Sequence, residues 1–372
     1  MDESSDRGHI VSPLRWIPRQ KDGESLYLHY TGGVRAGRIQ EDQWALEPIL
    51  VGGRPASSGL HSRRDLEMME RSLGLIAIAF QHAGWQDGSY YSNWVPIIPG
   101  QRNHMLGAAD LWRNIASQIG RQRRGHRLRQ LVSPSRKDVA AILDDQEPDE
   151  KLAQFIALSL RGLDIGMEEI SGFYHEQLVD LLADGKLNGE RTSGTLDHLL
   201  YAHVHSFFLH AGAARDYLAS LIAFRLGEDP KVDSLTLLCK KLRNRHIGSD
   251  SLLNVLMDQG LVAESKQKGM WVSAGWMKEL SELRNLFTHR RPYGSLSCEH
   301  WGSAIPLSDT RQLYRYRRPF DTDDGDDIFD LVVRQYRQII QLFHLLANAS
   351  GFNTDIQVFA DEDIVDFESE RS

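Results

Sequence analysis

Cysteine is nearly absent from this chain: Cys239 and Cys298 are the only two among 372 residues. That excludes a disulfide framework and a cysteine-rich zinc site, and it suits a reducing compartment. Long apolar runs are missing as well. The longest lies near Leu73 to Phe80, far short of the ~20 residues a membrane helix needs. The sequence has no phosphate-binding glycine loop, no nucleophile elbow and no zinc-ligand spacing. An excess of basic charge is lacking too, and a net charge of −8 excludes a chain that binds nucleic acid over its whole surface. The opening Met1-Asp2-Glu3-Ser4 is acidic and polar and does not read as a signal peptide. Together these absences lead us to expect a cytoplasmic protein with no membrane segment, no cofactor and no metal.

What is present is ordinary for a folded chain: 41% hydrophobic and 25% charged residues. The length allows two domains or one large one. The acid is uneven. From Asp355 to the end there are seven acidic residues and one base, so the rest of the chain is nearly neutral and local basic patches can matter.

Residues 1–62 are polar and glycine-bearing, with strand-like pieces at Leu26–Tyr30, closed by Thr31-Gly32-Gly33, and at Trp44–Val51, where Pro48 permits an edge strand at best. From Arg63 the pattern turns helical. Residues 66–83 read as one helix ended by Gly84, 85–103 as a loop, and shorter helices follow near 107–119, 136–145, 149–160 and 166–184. The polar break from Asp184 to Gly194 marks the main boundary. Beyond it, a long helix spans about 195–226, with Leu200, Val204, Phe207, Ala211, Ala214, Leu218 and Leu221 at helical spacing. Further helices are predicted at about 230–245, 250–258, 275–291 and 327–349, with Tyr314 to Pro319 as loop and Asp321 to Asp327 as an acidic linker. The expected fold class is therefore mainly α. It has a C-terminal helical bundle over about 196–350, an α-rich N-terminal region over 1–190 with a few short strands, and an acidic tail over 351–372.

The most informative stretch is Arg284-Asn285-Leu286-Phe287-Thr288-His289, at the end of a patterned helix that Arg290-Arg291-Pro292-Tyr293-Gly294 stops. A histidine can exchange a proton with a ribose 2′-hydroxyl, and an arginine can grip and neutralise a phosphate. Five Arg/His pairs have four to six residues between them: Arg54/His61, Arg121/His126, Arg191/His198, Arg284/His289 and Arg337/His344. Only Arg284/His289 has an asparagine directly after the arginine and also sits near a helix end. On a straight helix Arg284 and His289 stand about 140° apart. The pair then needs a helix distorted before Pro292, a long reach by the arginine, or two copies facing each other. The bland alternative is that Lys278, Glu282, Asn285 and His289 form one solvated helix face.

A long helix, a second helix and a later helix ending in Leu283-Arg284-Asn285-Leu286-Phe287-Thr288-His289-Arg290 resemble the HEPN superfamily over about residues 196–350. That family is an all-α bundle in which many members carry an arginine, a polar residue, three variable positions and a histidine. Arg284, Asn285 and His289 match that signature position by position. The resemblance implies a homodimer with a composite cleft and metal-independent endoribonuclease activity on RNA, in which Arg284 and His289 carry the chemistry and Asn285 assists. It implies a defence or toxin-like setting with a regulatory partner. The same fold also serves as a non-catalytic interaction or RNA-binding module.

Tyr314-Arg315-Tyr316-Arg317-Arg318 interleaves aromatics with bases and is the candidate RNA-stacking segment. The run Arg121 to Arg129 reads as a solvated basic loop. His203 and His210 share a side of the long helix without further ligands in view, and Arg243-Asn244-Arg245-His246 echoes the motif at the wrong spacing.

Overall fold

The computed structural model describes residues 24–86, 89–100, 106–131, 135–265, 270–307 and 312–354. The acidic tail from Asp355 lies outside them. In chain order the elements are β1 (Glu24–Tyr30), β2 (Arg35–Gln40), β3 (Gln43–Glu47), β4 (Ile49–Val51), β5 (Arg54–Ala56), β6 (Leu60–His61), α1 (Arg63–Leu73), β7 (Ala77–Gln86), β8 (Ser89–Pro96), α2 (Ala108–Arg129) and α3 (Arg136–Asp144). They continue with α4 (Pro148–Ala183), α5 (Asp197–Arg225), α6 (Leu235–Lys241), α7 (Ser251–Asp258), β9 (Val262–Glu264), β10 (Trp271–Ser273), α8 (Gly275–Asn285), β11 (Ser303–Pro306), β12 (Tyr314–Arg317) and α9 (Ile328–Ala349).

The expectation of a mainly α protein is corrected. The chain is 54% helical, and its N-terminal part carries a six-stranded antiparallel sheet in the order β6-β3-β2-β1-β7-β8, so the architecture is mixed α/β. Two misread segments account for most of the difference. The helix expected over 66–83 stops at Gly74, which takes a left-handed conformation (φ 66°) and caps α1. The apolar run beyond it is β7, paired with β1 on one side and β8 on the other. A short apolar run does not distinguish a buried strand from a helix by period alone. The second segment, 85–103, was expected as loop and holds β8.

Two further corrections concern helices. The two helices expected over 149–184 are one, α4, of 36 residues. Gly162 is not a break. A Cβ there would come within 2.7 Å of the His210 ring, so glycine admits close approach of α5. The basic run Arg121 to Arg129 is not a loop but the end of α2. There Arg123 and Arg124 pair with the buried Glu150 at 3.0 and 2.8 Å, and Arg127 pairs with Asp145 and Glu147.

The chain forms two compact units, each assembled from separated segments: 1–107, 159–214 and 273–342 in the first, and 108–158, 215–272 and 343–372 in the second. Three helices, α4, α5 and α9, contribute to both. In the first unit, polar bonds rivet the sheet to the helices. His29 of β1 bonds Ser171 of α4 and Gln81 of β7, each at 2.9 Å. Gln81 and Ser92 both donate to Glu168 of α4. The Trp94 indole donates to the Tyr336 hydroxyl of α9, which donates to Asp164 of α4 at 2.6 Å. In the second unit the Trp112 indole donates to the Phe343 carbonyl at 2.9 Å. No helix among the described residues is long and apolar enough to cross a membrane.

Burial holds the His29 pKa down at about 3, with Arg35 adding to the effect. The folded state therefore binds fewer protons than the unfolded chain between pH about 3 and 6.5, and this contribution to stability is full above 6.5 and fades as pH falls. Asp327, pushed up to about 6 by burial, acts in the opposite sense. We therefore expect His29→Gln to gain stability relative to wild type on acidification from pH 7 to 5, read as the difference between their urea midpoints at the two values.

Candidate functional site

Helix α8 does not end as an α-helix. Leu286–Arg290 forms a π-helical turn, and the Arg291 N–H reaches back five residues to the Leu286 carbonyl at 2.7 Å. The sequence explains the distortion. Pro292 disfavours helical backbone at Arg291, which is extended (φ −153°, ψ 96°). The Thr288 hydroxyl donates to the Arg284 carbonyl at 2.7 Å, a side-chain bond that loads the same acceptor an α-helical N–H would use. A π turn holds more residues per turn than an α turn and so changes the angular phase of the residues within it. Arg284 stands just before this turn and His289 within it. Of the three arrangements left open by the sequence, distortion before Pro292 is present.

The arginine is placed by α5. Tyr201, His205, Phe208 and Gly212 of that helix follow at spacings of four, three and four, on one stripe. A Cβ at Gly212 would lie 2.5 Å from both Cδ and Nε of Arg284, so the arginine side chain runs through a notch that only glycine provides. Phe287, one residue before Thr288, is buried against Phe208 (ring centroids 4.8 Å apart) and Phe320 (5.6 Å).

The segment after the π turn is anchored. The Tyr293 N–H donates to His205 Nε2 at 2.9 Å, and its hydroxyl donates to the Pro319 carbonyl at 3.1 Å. Burial lowers the His205 pKa, which keeps that nitrogen an acceptor. Glu299, fully buried, accepts from the N–H groups of Gly294 and Leu296 at 2.9 and 3.2 Å and pairs with Arg291 at 3.3 Å. Arg291 also pairs with Asp321 at 3.1 Å. On the outer side Asn285, His289 and Arg290 are exposed, and among the described residues their side chains make no hydrogen bond or ion pair. The site thus combines a seated arginine with an exposed histidine and amide on a fixed turn.

The second predicted set lies elsewhere in character. Tyr314 to Arg318 was expected as an exposed loop, but Tyr314–Arg317 is strand β12, paired with β11. Tyr314, Tyr316 and Arg318 are buried. Arg315 pairs with Asp327 and Asp330 at 3.1 and 2.7 Å. Arg317 donates to the carbonyls of Asp323 and Gly325, and Arg318 pairs with Asp197 at 2.8 Å. Period-two alternation of large and basic residues is a strand signature, and it was taken for a stacking platform. These rings and charges are committed inside the first unit and offer no face for bases to stack on.

Among the described residues no group of three or more His, Cys, Asp or Glu side chains could hold a metal ion. Sequence reasoning missed Gly212, His205, Tyr293 and Glu299. Gly212 was legible, because a glycine inside a long helix lowers helix stability and calls for a packing reason. Comparison with protein-family models, with curated proteins and with solved structures gave no match.

Glu299→Ala would leave two backbone N–H groups and Arg291 without their buried acceptor, a loss of about 3 kcal/mol by analogy with broken buried pairs. The expected result is hydrogen exchange that quickens more at the amides of Gly294 and Leu296 than in β1 and β7.

Proposed function

We propose that this chain is a metal-independent endoribonuclease of the HEPN type. Arg284 stabilises charge on the phosphate, His289 transfers a proton and Asn285 orients the histidine or binds phosphate. The observation that carries this reading is the π turn at Leu286–Arg290, a helix distortion before Pro292 of the kind the Arg284/His289 pair calls for. The notch at Gly212 and the exposed His289, without a side-chain partner among the described residues, support it.

In the reaction the ribose 2′-oxygen bonds to phosphorus and the bond from phosphorus to the 5′-oxygen breaks. One proton leaves the 2′-hydroxyl and one arrives on the departing 5′-oxygen, giving a 2′,3′-cyclic phosphate and a free 5′-hydroxyl. An imidazole serves either proton transfer. In a homodimer the two transfers fall to His289 and to His289 of the partner subunit. DNA lacks the attacking hydroxyl and is spared.

The decisive experiment is cleavage of total cellular RNA by purified protein in EDTA. Wild type is expected to cut and leave cyclic-phosphate ends, and His289→Ala to lose at least 10²-fold in rate, on the order of a general acid–base contribution. Arg284→Lys should lose most activity too, because an ammonium cannot reproduce the two-pronged grip. No cutting by wild type, with RNA still bound, would overturn catalysis in favour of a binding module.

Gly212→Ala separates site from scaffold. Alanine is the better helix former by about 1 kcal/mol, but its Cβ would displace Arg284. We expect a melting temperature that is unchanged or higher, together with a large fall in RNA cleavage.

A further inference from the structure

At and just beyond the end of α6, in the second unit, four cations fall within six residues: Lys240, Lys241, Arg243 and Arg245. All four are exposed. Two structural explanations fall short. The first is helix capping, since bases near a helix C-terminus satisfy its last carbonyls. Here Arg243 alone does this, donating from Nη1 to the Lys240 and Leu242 carbonyls at 3.0 and 2.8 Å, so the lysines are not needed for it. The second is charge pairing. Arg245 meets Glu228 at 3.4 Å but keeps a side-chain exposure of 76%, and among the described residues Lys240 and Lys241 have no ion-pair partner. Positive charge is therefore concentrated and largely uncompensated at this place, on a chain whose net charge is −8.

The chemistry around the cluster narrows the partner. The neighbouring helix α7 presents Asp258 outward and keeps Ser251 and Asn254 half-buried, so it is not built as a basic reading helix for a duplex groove. Exposed lysine and arginine ends, with the exposed Asn244 amide between them, suit a row of phosphates and carry no base selection.

We propose that Lys240, Lys241, Arg243 and Arg245 form a surface that binds the phosphate backbone of single-stranded RNA without sequence preference, through contacts that take no part in bond cleavage. The choice of RNA rests on the ribonuclease reading. The cationic cluster does not.

The test uses the full chain carrying His289→Ala, so that RNA stays intact, with and without Lys240→Gln and Lys241→Gln. Among the described residues these lysines bond no other side chain, so the fold should hold, and circular dichroism checks it. Binding of a labelled single-stranded RNA is followed by anisotropy over a range of salt. The double substitution is expected to weaken binding about tenfold at low salt and to flatten the slope of log affinity against log salt by about 1.4, two phosphate contacts on a single strand. Equal affinity and slope for both proteins would overturn the proposal. So would failure to bind RNA with lysine-dependent binding of polyglutamate, which would point to an acidic protein partner. If the lysine dependence is found but wild type never cuts RNA, the surface stands and the catalytic reading falls. If wild type cuts RNA and binding ignores the lysines, the reverse holds.

Discussion

Arg318 is a charge shut off from bulk solvent: it is fully buried, and burial alone would lower its pKa. Tyr316 and Asp197 outweigh that and hold the guanidinium charged. A buried cation of this kind is tolerated only where partners are fixed around it. Its carboxylate, Asp197, stands in the first turn of α5 and also accepts the Gly194 N–H. Its flat face lies over Phe173 of α4 and Tyr201 of α5. Three residues earlier, on β12, Arg315 pairs with Asp327, which caps α9 by accepting the Phe329 N–H and also accepts the Tyr174 hydroxyl of α4 at 2.6 Å. One short hairpin, β11–β12, thus binds α4, α5 and α9 through charge. Such pairs contribute little net stability over apolar replacements, but the loss of one member strands the other. Their effect is to specify where the three helices stand.

The candidate site depends on this arrangement at second hand. Just beyond β12, the Pro319 carbonyl holds the Tyr293 hydroxyl, Phe320 packs on Phe287, and Asp321 meets Arg291. The stretch that follows the π turn is therefore fixed by the same hairpin region that fixes the helices. Phe287 is buried within the turn itself, so the turn cannot relax to an α-helical register without moving an aromatic out of the core. Strained or unusual backbone persists only where its surroundings over-determine it, and here tertiary packing does so from both sides. The result is a turn whose inner face is immobilised and whose outer face carries Asn285, His289 and Arg290 into solvent.

How much of this was legible in the sequence varied with the range of the forces involved. The long helices were readable, because α5 and α9 repeat apolar residues at helical spacing over many turns. The end of α8 near Arg284 to His289 was readable, because Pro292 acts within one turn. The sheet was not. Ala77-Ile78-Ala79-Phe80 is compatible with either period, and its pairing with β1 is made some fifty residues away in sequence. Burial of charge was also illegible. Nothing local to Arg315 or Arg318 announces that Asp327 or Asp197 will meet them, so an alternating strand looked like an exposed stacking surface. Asp327 likewise was read as part of a solvated linker, although it is a buried cap.

Two glycines inside helices, Gly162 in α4 and Gly212 in α5, carry information that the apolar pattern does not. Both sit inside helices longer than seven turns, where glycine lowers helix stability. Both give a neighbour the room a Cβ would fill: the His210 ring over Gly162, the Arg284 stem over Gly212. At these two positions glycine admits a close contact that a Cβ would obstruct. At Gly162 that contact is packing between two scaffold helices. At Gly212 the group admitted is the side chain of a charged residue, Arg284. Filling that space with an alkyl side chain would satisfy the core equally well. The notch therefore makes sense as a requirement of the arginine's position, and through it of the chemistry proposed for the turn.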